Sequence, residues 1–159
     1  MSELAQRFCT SQARVDLFRG LCAYRAQLVA LGFTGIQWID GSFCEDCEKL
    51  RGGPPADIDL VNLVLAPAGL TPADIQALWN SHPELFQRNQ IKATYHCDAF
   101  FLNTGLPAFV VHPQLTYWYG LFTHQRATHQ WKGMVQVPLV SDDANALAYV
   151  NTLHSSATP

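Results

Sequence analysis

Two segments decide the fold: Trp38-Ile39-Asp40-Gly41-Ser42-Phe43 and, one loop later, Ala56-Asp57-Ile58-Asp59-Leu60-Val61. The first is an apolar run that ends in a Gly-Ser turn, and the second alternates acidic and apolar residues as a strand does. Because strand side chains alternate between faces, Asp57 and Asp59 point to the same side, roughly 7 Å apart at their Cα atoms. A divalent cation would relieve the repulsion between two such carboxylates. The pair therefore predicts either a Mg²⁺ or Mn²⁺ site or a solvated strand edge.

The Gly-Ser turn points to phosphate. Gly41 lets the backbone approach a ligand closely, and the Ser42 hydroxyl can hold phosphate oxygens together with neighbouring N–H groups. A third acid, Asp98, interrupts the strand-like stretch His96-Cys97-Asp98-Ala99-Phe100-Phe101-Leu102. A Gly-Ser turn, Asp-x-Asp and a later acid, in that order, resemble the signature of the DNA polymerase beta-like nucleotidyltransferase superfamily. The spacer between the first two elements, residues 43–56, is slightly longer than is usual there.

The later part of the chain extends this resemblance to about residues 14 to 140. Tyr117-Trp118-Tyr119-Gly120-Leu121-Phe122, Arg126 and Lys132-Gly133-Met134-Val135 resemble the tail of a small bacterial and phage family of single-domain nucleotidyltransferases. The resemblance implies a minimal nucleotidyltransferase fold: α/β, with a mixed β-sheet packed against helices. The aromatic cluster itself is typical of core or lid packing, with stacking on a nucleotide base as the alternative.

The resemblance also assigns roles to residues. It implies that Asp57, Asp59 and Asp98 are the catalytic, metal-binding acids and that Gly41 and Ser42 bind the β and γ phosphates of a nucleoside triphosphate. The remaining two candidates, Arg126 and Lys132, are interpreted either as phosphate contacts or as exposed surface residues.

The implied reaction moves a nucleoside monophosphate from a nucleoside triphosphate to a hydroxyl acceptor with the help of Mg²⁺ or Mn²⁺. The acceptor is left open: an RNA end, a protein or a small molecule. Because nothing in the chain is left to grip a large acceptor, either a second copy or a partner protein supplies that surface, or the chain modifies something small. By analogy with relatives of similar size, a toxin–antitoxin or phage-defence role is expected. The alternative is a catalytically idle module of the same fold that binds a nucleotide or a partner and regulates.

Composition narrows the remaining classes. The chain has 159 residues, 48% apolar and 14% charged, with a net charge of −3. We therefore expect a single domain over residues 1–153, a flexible tail over 154–159, and no broad basic surface for long nucleic acid. No segment resembles a signal peptide or a membrane span, so a cytoplasmic protein without a membrane partner is expected.

The five cysteines offer a rival interpretation. Cys44-Glu45-Asp46-Cys47 has the spacing of a zinc knuckle, but a second Cys-x-x-Cys is absent from the sequence. The spacing is compatible with a small zinc-binding interaction domain, but reduced thiols that bind no metal are the favoured interpretation.

Hydrophobic periodicity and capping signals predict the elements along the chain. In one helix, over 11–31, Val15, Phe18, Cys22, Ala26 and Val29 share the core face. The other expected elements are strands over 36–39, 57–65, 94–102 and 134–140, an edge strand over 106–111, and helices over 43–50, from Thr71 to before Pro83, and over 141–153.

Overall fold

The computed structural model describes residues 1–125 and 128–153. Within these ranges the chain forms eight α-helices, one 3-10 helix and four strands, and the predicted α/β class is confirmed. The elements are, in order, α1 (Ser2–Phe8), α2 (Gln12–Ala30), β1 (Thr34–Asp40), the 3-10 helix (Gly41–Cys44), α3 (Cys47–Arg51), β2 (Ile58–Leu65), α4 (Pro72–Ser81), α5 (Pro83–Phe86), α6 (Arg88–Tyr95), β3 (Cys97–Asn103), α7 (Ala108–Phe122), β4 (Val135–Pro138) and α8 (Asp143–Leu153). Arg126 and the tail over 154–159 lie outside the described residues.

The four strands form one mixed sheet in the order β3-β2-β1-β4. Strand β1 is antiparallel to both β2 and β4, whereas β2 and β3 are parallel. The sheet is covered on both faces. One face packs on α2 and the larger core cluster, which includes Phe18, Ile39 and Leu60. The other packs on α7 through a smaller cluster that includes Trp38 and Val61.

A buried polar network ties α2 to the first of these faces. The Arg25 guanidinium is fully buried and donates to the Asp143 carboxylate, to Gln37 Oε1 and to the carbonyl oxygens of Pro138 and Leu139. In turn, Gln37 Nε2 donates to Oδ1 of a buried asparagine, Asn62 (2.6 Å). Strands β1 and β2, the residues after β4, and helix α8 are thereby joined to α2.

Three predicted helices, α2, α4 and α8, are confirmed close to their expected bounds. Helix α4 begins with a capping box, in which the Thr71 hydroxyl accepts from the Asp74 N–H and the Asp74 carboxylate accepts from the Thr71 N–H. Helix α2 is also confirmed, but its predicted core face is only half correct. Ala26 and Val29 are exposed, because the second half of the helix turns Arg25 and its neighbours toward the network.

The predicted edge strand over 106–111 is wrong, because the chain there enters α7. The apolar residues of α7 recur at spacings of four, three and four and form one stripe against the sheet: Val111, Leu115, Trp118 and Phe122. That helical period outweighs the short apolar run that suggested a strand.

Two other boundaries also differ from the prediction. The helix expected over 43–50 is divided into the 3-10 helix and α3, and β3 begins at Cys97 because α6 continues to Tyr95. His96 ends α6 in the left-handed conformation (φ 55°). Among the described residues, no helix is both long enough and apolar enough to cross a membrane.

Candidate functional site

Three aspartates lie side by side across three adjacent strands. Asp40 on β1 is in register with Asp59 on β2, which is in register with Asp98 on β3. Neighbouring strands are about 4.8 Å apart, and residues in register point to the same face, so the three carboxylates form a row on the face that carries α7. We call Asp40, Asp59 and Asp98 the acidic row. The sequence predicted two of its members, and Asp57 precedes β2 beside it.

Asp40 is the member that the sequence analysis left without a role. The signal for it was present, since a residue that ends a strand just before a tight turn lies next to the start of the antiparallel partner. Burial raises the pKa of Asp40 above its usual range. Among the described residues, its Oδ1 is the one buried side-chain oxygen or nitrogen that lacks a hydrogen-bond partner.

The Gly-Ser turn follows directly on the row. Gly41 has a φ of +77°, in the left-handed region that favours glycine. A Cβ atom at Gly41 would lie 1.8 Å from Asp59 Oδ2 and 2.7 Å from Asp59 Cγ. The predicted need for glycine is thus present, but the group that approaches the backbone in this structure is the Asp59 carboxylate.

A cavity of about 330 Å³ opens beside this turn. Four of the predicted site residues line it: Gly41, Ser42, Asp59 and Lys132. The rest of its wall is formed by Asp40, by Glu45 after the 3-10 helix, by Leu50 and Arg51 at the end of α3, and by residues at and after the end of α7. Asp57 and Asp98 are not part of this wall. The structure therefore separates the predicted phosphate-binding residues and one acid from the other two acids.

Lys132 reaches into the row from the side of the cavity. Its Nζ lies 2.9 Å from Asp40 Oδ2 and 2.9 Å from Glu45 Oε1. Burial opposes the charge of Lys132, but hydrogen bonds to the two carboxylates outweigh it and raise its pKa. Its side chain is only 13% exposed, so Lys132 is not the surface residue that one interpretation expected.

The other end of the row carries two basic residues that the sequence analysis missed. The Arg88 guanidinium binds both oxygens of Asp98, with Nη2 2.7 Å from Oδ2, and the hydrogen bonds lower the pKa of Asp98. Lys92 pairs with Asp57, and its Nζ lies 3.7 Å from Asp98 Oδ2. The available signal was their spacing of four on a helix that leads directly into the acidic strand.

The long spacer is held in place by a buried arginine of α2. Arg14 Nη1 donates to the Phe43 carbonyl (2.7 Å), Nη2 donates to the Glu45 carbonyl (2.6 Å), and Nε pairs with Glu48 Oε1 (2.7 Å). Through these bonds α2 fixes the loop that brings Glu45 to the cavity. The greater length of the spacer is therefore compatible with an ordered site.

The cysteines of the spacer do not form a zinc site in this structure. The Cys47 thiol lies between Arg14 and Glu48, and the Cys44 thiol donates to the Ile39 carbonyl. Burial raises the pKa of Cys44 to about 12, so its thiol stays protonated. In the described ranges, no group of three or more His, Cys, Asp or Glu side chains is arranged to hold a metal ion.

Mg²⁺ fits the chemistry of the three acids that the sequence predicted, although not the present pairing of their oxygens. Asp57, Asp59 and Asp98 offer the oxygen-only donors that hard cations prefer. However, Arg88 occupies both oxygens of Asp98, and Lys92 occupies Asp57. A metal at these three acids therefore requires the two ion pairs to open.

The aromatic cluster lies mainly within α7. The rings of Trp118 and Phe122 pack against the sheet, whereas Tyr117 and Tyr119 are exposed. Core packing is thus confirmed for part of the cluster. Beyond α7, the His124 ring contacts the exposed Trp131 ring at a centroid distance of 4.1 Å, close to the cavity.

Sequence comparison places the chain in a family. The model of a family of unknown function, DUF6932, matches residues 1–138. The chain belongs to DUF6932. The matched DUF6932 segment contains the acidic row, the Gly-Ser turn and Lys132. No curated protein and no solved structure matches the chain, so the resemblance to nucleotidyltransferases stays a prediction.

Proposed function

We propose that this protein is a metal-dependent nucleotidyltransferase. One observation carries the proposal: the Gly-Ser turn, Asp59 and Lys132 line a single cavity, and Asp98 lies in register beside Asp59. These groups are far apart in sequence, and they lie together at one end of the strands. A site that binds a triphosphate next to acidic residues requires such an arrangement. Such a site combines hydrogen-bond donors for phosphate oxygens and a cationic side chain with carboxylates that can hold Mg²⁺.

In the proposed reaction the acceptor hydroxyl oxygen forms a bond to the α-phosphorus of a nucleoside triphosphate. The bond from that phosphorus to the bridging oxygen breaks, pyrophosphate leaves, and the proton of the attacking hydroxyl passes to solvent water. Ser42 and the N–H groups of the turn would bind the β and γ phosphates, and Lys132 would neutralise part of their charge. Asp57, Asp59 and Asp98 would hold Mg²⁺ or Mn²⁺, which supplies stabilisation of the charge on the transferring phosphate when bound.

The test is transfer of label from each of the four α-labelled nucleoside triphosphates to total RNA and to protein, with Mg²⁺ or Mn²⁺. Label that vanishes in Asp57→Ala/Asp59→Ala supports the proposal and identifies the nucleotide and the acceptor class. Asp16→Ala is the matched control, because Asp16 is an exposed acid whose partners among the described residues are side chains of its own helix. Absence of label, together with absence of metal-dependent nucleotide binding in calorimetry, would refute the proposal.

A second candidate is a catalytically idle module that binds a nucleotide or a partner protein. The ion pairs of Asp57 and Asp98 favour it, because these acids are already neutralised by Lys92 and Arg88. An idle module predicts nucleotide binding that does not depend on Mg²⁺ and that yields no transfer. A place in a toxin–antitoxin or phage-defence pair, with a partner protein or a second copy of the chain, is part of the transferase proposal, whereas the idle module would be regulatory.

A further inference from the structure

We propose that Arg88 and Lys92 form a phosphate-binding pair for the acceptor. The hydroxyl acceptor would then itself carry a phosphate group, as a nucleotide or the end of a nucleic acid strand does. This inference rests on the proposed transferase function and names the acceptor class of that same site.

The first argument is the position of the pair relative to the cavity. Across the sheet the acidic row runs Asp98, Asp59, Asp40, with Lys132 at the Asp40 end and Arg88 at the Asp98 end. The triphosphate site lies at the Lys132 end, where the Gly-Ser turn is. In phosphoryl transfer the attacking and leaving oxygens are roughly in line on opposite sides of phosphorus. An acceptor therefore approaches from the Asp98 end, where it meets Arg88 and Lys92.

The second argument is accessibility. The side chains of Arg88 and Lys92 are 56% and 49% exposed, unlike the buried guanidinium groups of Arg14 and Arg25. Arg88 also lies over the Phe100 ring, 4.6 Å from its centroid, which limits the orientations of its planar guanidinium. A guanidinium fixed in this way suits bidentate binding of phosphate, and Lys92, one helical turn further on, adds a second charge.

The third argument is charge balance. Each of the two cations is now paired with an acid that the proposed reaction needs for Mg²⁺. Once these acids bind a divalent cation, Arg88 and Lys92 lose their partners and an anion can take the vacated position. Because the chain has only ten basic residues and a net charge of −3, this contact would be local and would involve one or two phosphates.

The experiment measures acceptor binding to the full chain in the presence of Mg²⁺ and a non-hydrolysable triphosphate. The probes are a short labelled RNA, the same RNA with a neutral methylphosphonate as its last linkage, a nucleoside monophosphate and the unphosphorylated nucleoside. The proteins are wild type, Arg88→Gln, Lys92→Gln and the control Arg19→Gln, which removes a cation with a comparable exposed ion pair. Thermal melting of each variant shows that it is folded.

We expect Arg88→Gln and Lys92→Gln each to weaken binding of the RNA or of the monophosphate about tenfold, without weakening triphosphate binding. Wild type should bind the RNA with the neutral linkage about tenfold more weakly than the charged RNA, whereas each variant should bind the two RNAs equally. Arg19→Gln should bind all probes as wild type does. Preference for RNA or for the monophosphate identifies the source of the phosphate, and either result supports the proposal.

Equal binding of the charged and neutral probes, or normal phosphate binding by both folded variants, would overturn the inference. The proposed function would survive that result, provided that the triphosphate binds with Mg²⁺. A wild-type protein that binds no triphosphate would overturn both. If Arg88→Gln unfolds, Lys92→Gln decides, because it leaves the bidentate pair of Asp98 intact.

Discussion

Two polar clusters lie on opposite faces of the same sheet, and they are built in opposite ways. On the α2 face, the buried Arg25 guanidinium is surrounded by acceptors from three parts of the chain. On the α7 face, the acidic row places like charges next to each other, and its counter-charges reach it from both ends, those at the Asp98 end from half-exposed side chains. Asp40 Oδ1, the buried oxygen that lacks a partner within the described residues, belongs to this second cluster.

The difference separates a polar network built around a buried guanidinium from a row of like charges. Such a row is expected if it serves the proposed ligand. A buried network with every partner in place fixes the packing of the elements that it joins. Adjacent carboxylates repel each other, and in this structure Lys132, Arg88 and Lys92 offset part of that repulsion. Like charges placed side by side in this way are typical of functional sites. The comparison implies that substitutions in the two clusters have different, and in one case opposite, effects on stability.

The largest expected effect is on the α2 face. Arg25→Leu should lower the free energy of unfolding by about 3–5 kcal/mol, because it leaves the Asp143 carboxylate and Gln37 without their buried partner. Arg88→Leu should cost less, about 1–3 kcal/mol, because Arg88 is half exposed and Lys92 Nζ remains 3.7 Å from the buried Asp98 carboxylate. Urea denaturation of both variants measures the difference. Equal losses would show that the two clusters do not differ as described.

Little of this contrast could be predicted from the sequence, because the Arg25 network and the place of Asp40 in the acidic row depend on pairing between distant segments. Asp57, Asp59 and Gly41 were found because strand alternation and turn chemistry are local properties. Asp40 and Arg88 were missed because their importance arises only when β1 and α6 meet β2 and β3. Helix α7 was missed because the short apolar run over 106–111 gives no period by which strand and helix can be distinguished.

The second prediction concerns the turn. Gly41→Ala and Gly52→Ala both place a side chain at a left-handed position, with φ of +77° and +75°, and share a cost of about 1–2 kcal/mol. Only Gly41→Ala also collides with Asp59, since nothing lies within 4 Å of a Cβ at Gly52. We therefore expect a larger loss of stability at Gly41, and loss of triphosphate binding there alone. Calorimetric titration of both variants measures this, and normal binding by Gly41→Ala would contradict the proposed role of the turn.

The third prediction concerns the ion pair between Arg14 of α2 and Glu48 of α3, which helps to hold the spacer in place. Hydrogen bonds from Arg14 lower the pKa of Glu48 to about 2. A carboxyl whose pKa is lowered by folding stabilises the fold at pH values above its pKa in the unfolded chain, near 4.5. That contribution disappears as the pH falls toward 2. Glu48→Gln should therefore be less stable than wild type by about 1 kcal/mol at pH 6, a value reduced for the partial exposure of the pair. The urea midpoints of wild type and Glu48→Gln should differ at pH 6 and converge at pH 2.5. A difference between the two proteins that does not change with pH would refute this assignment.

The smallest effect should have the opposite sign. Burial raises the pKa of Asp40, so ionisation of its carboxyl opposes folding, and wild-type stability declines as the pH rises from about 4 through the raised pKa. Asp40→Asn removes that decline and should be more stable than wild type by about 0.5 kcal/mol at pH 7, with a smaller difference at pH 3.5. Its matched variant, Asp143→Asn, should be destabilised because it weakens the buried partner of Arg25. Denaturation curves at the two pH values test both substitutions. A loss of stability in Asp40→Asn at neutral pH would mean that the acidic row stabilises the fold as the Arg25 network does. A gain of stability accompanied by weaker triphosphate binding would show that the row serves a ligand and lowers the stability of the fold.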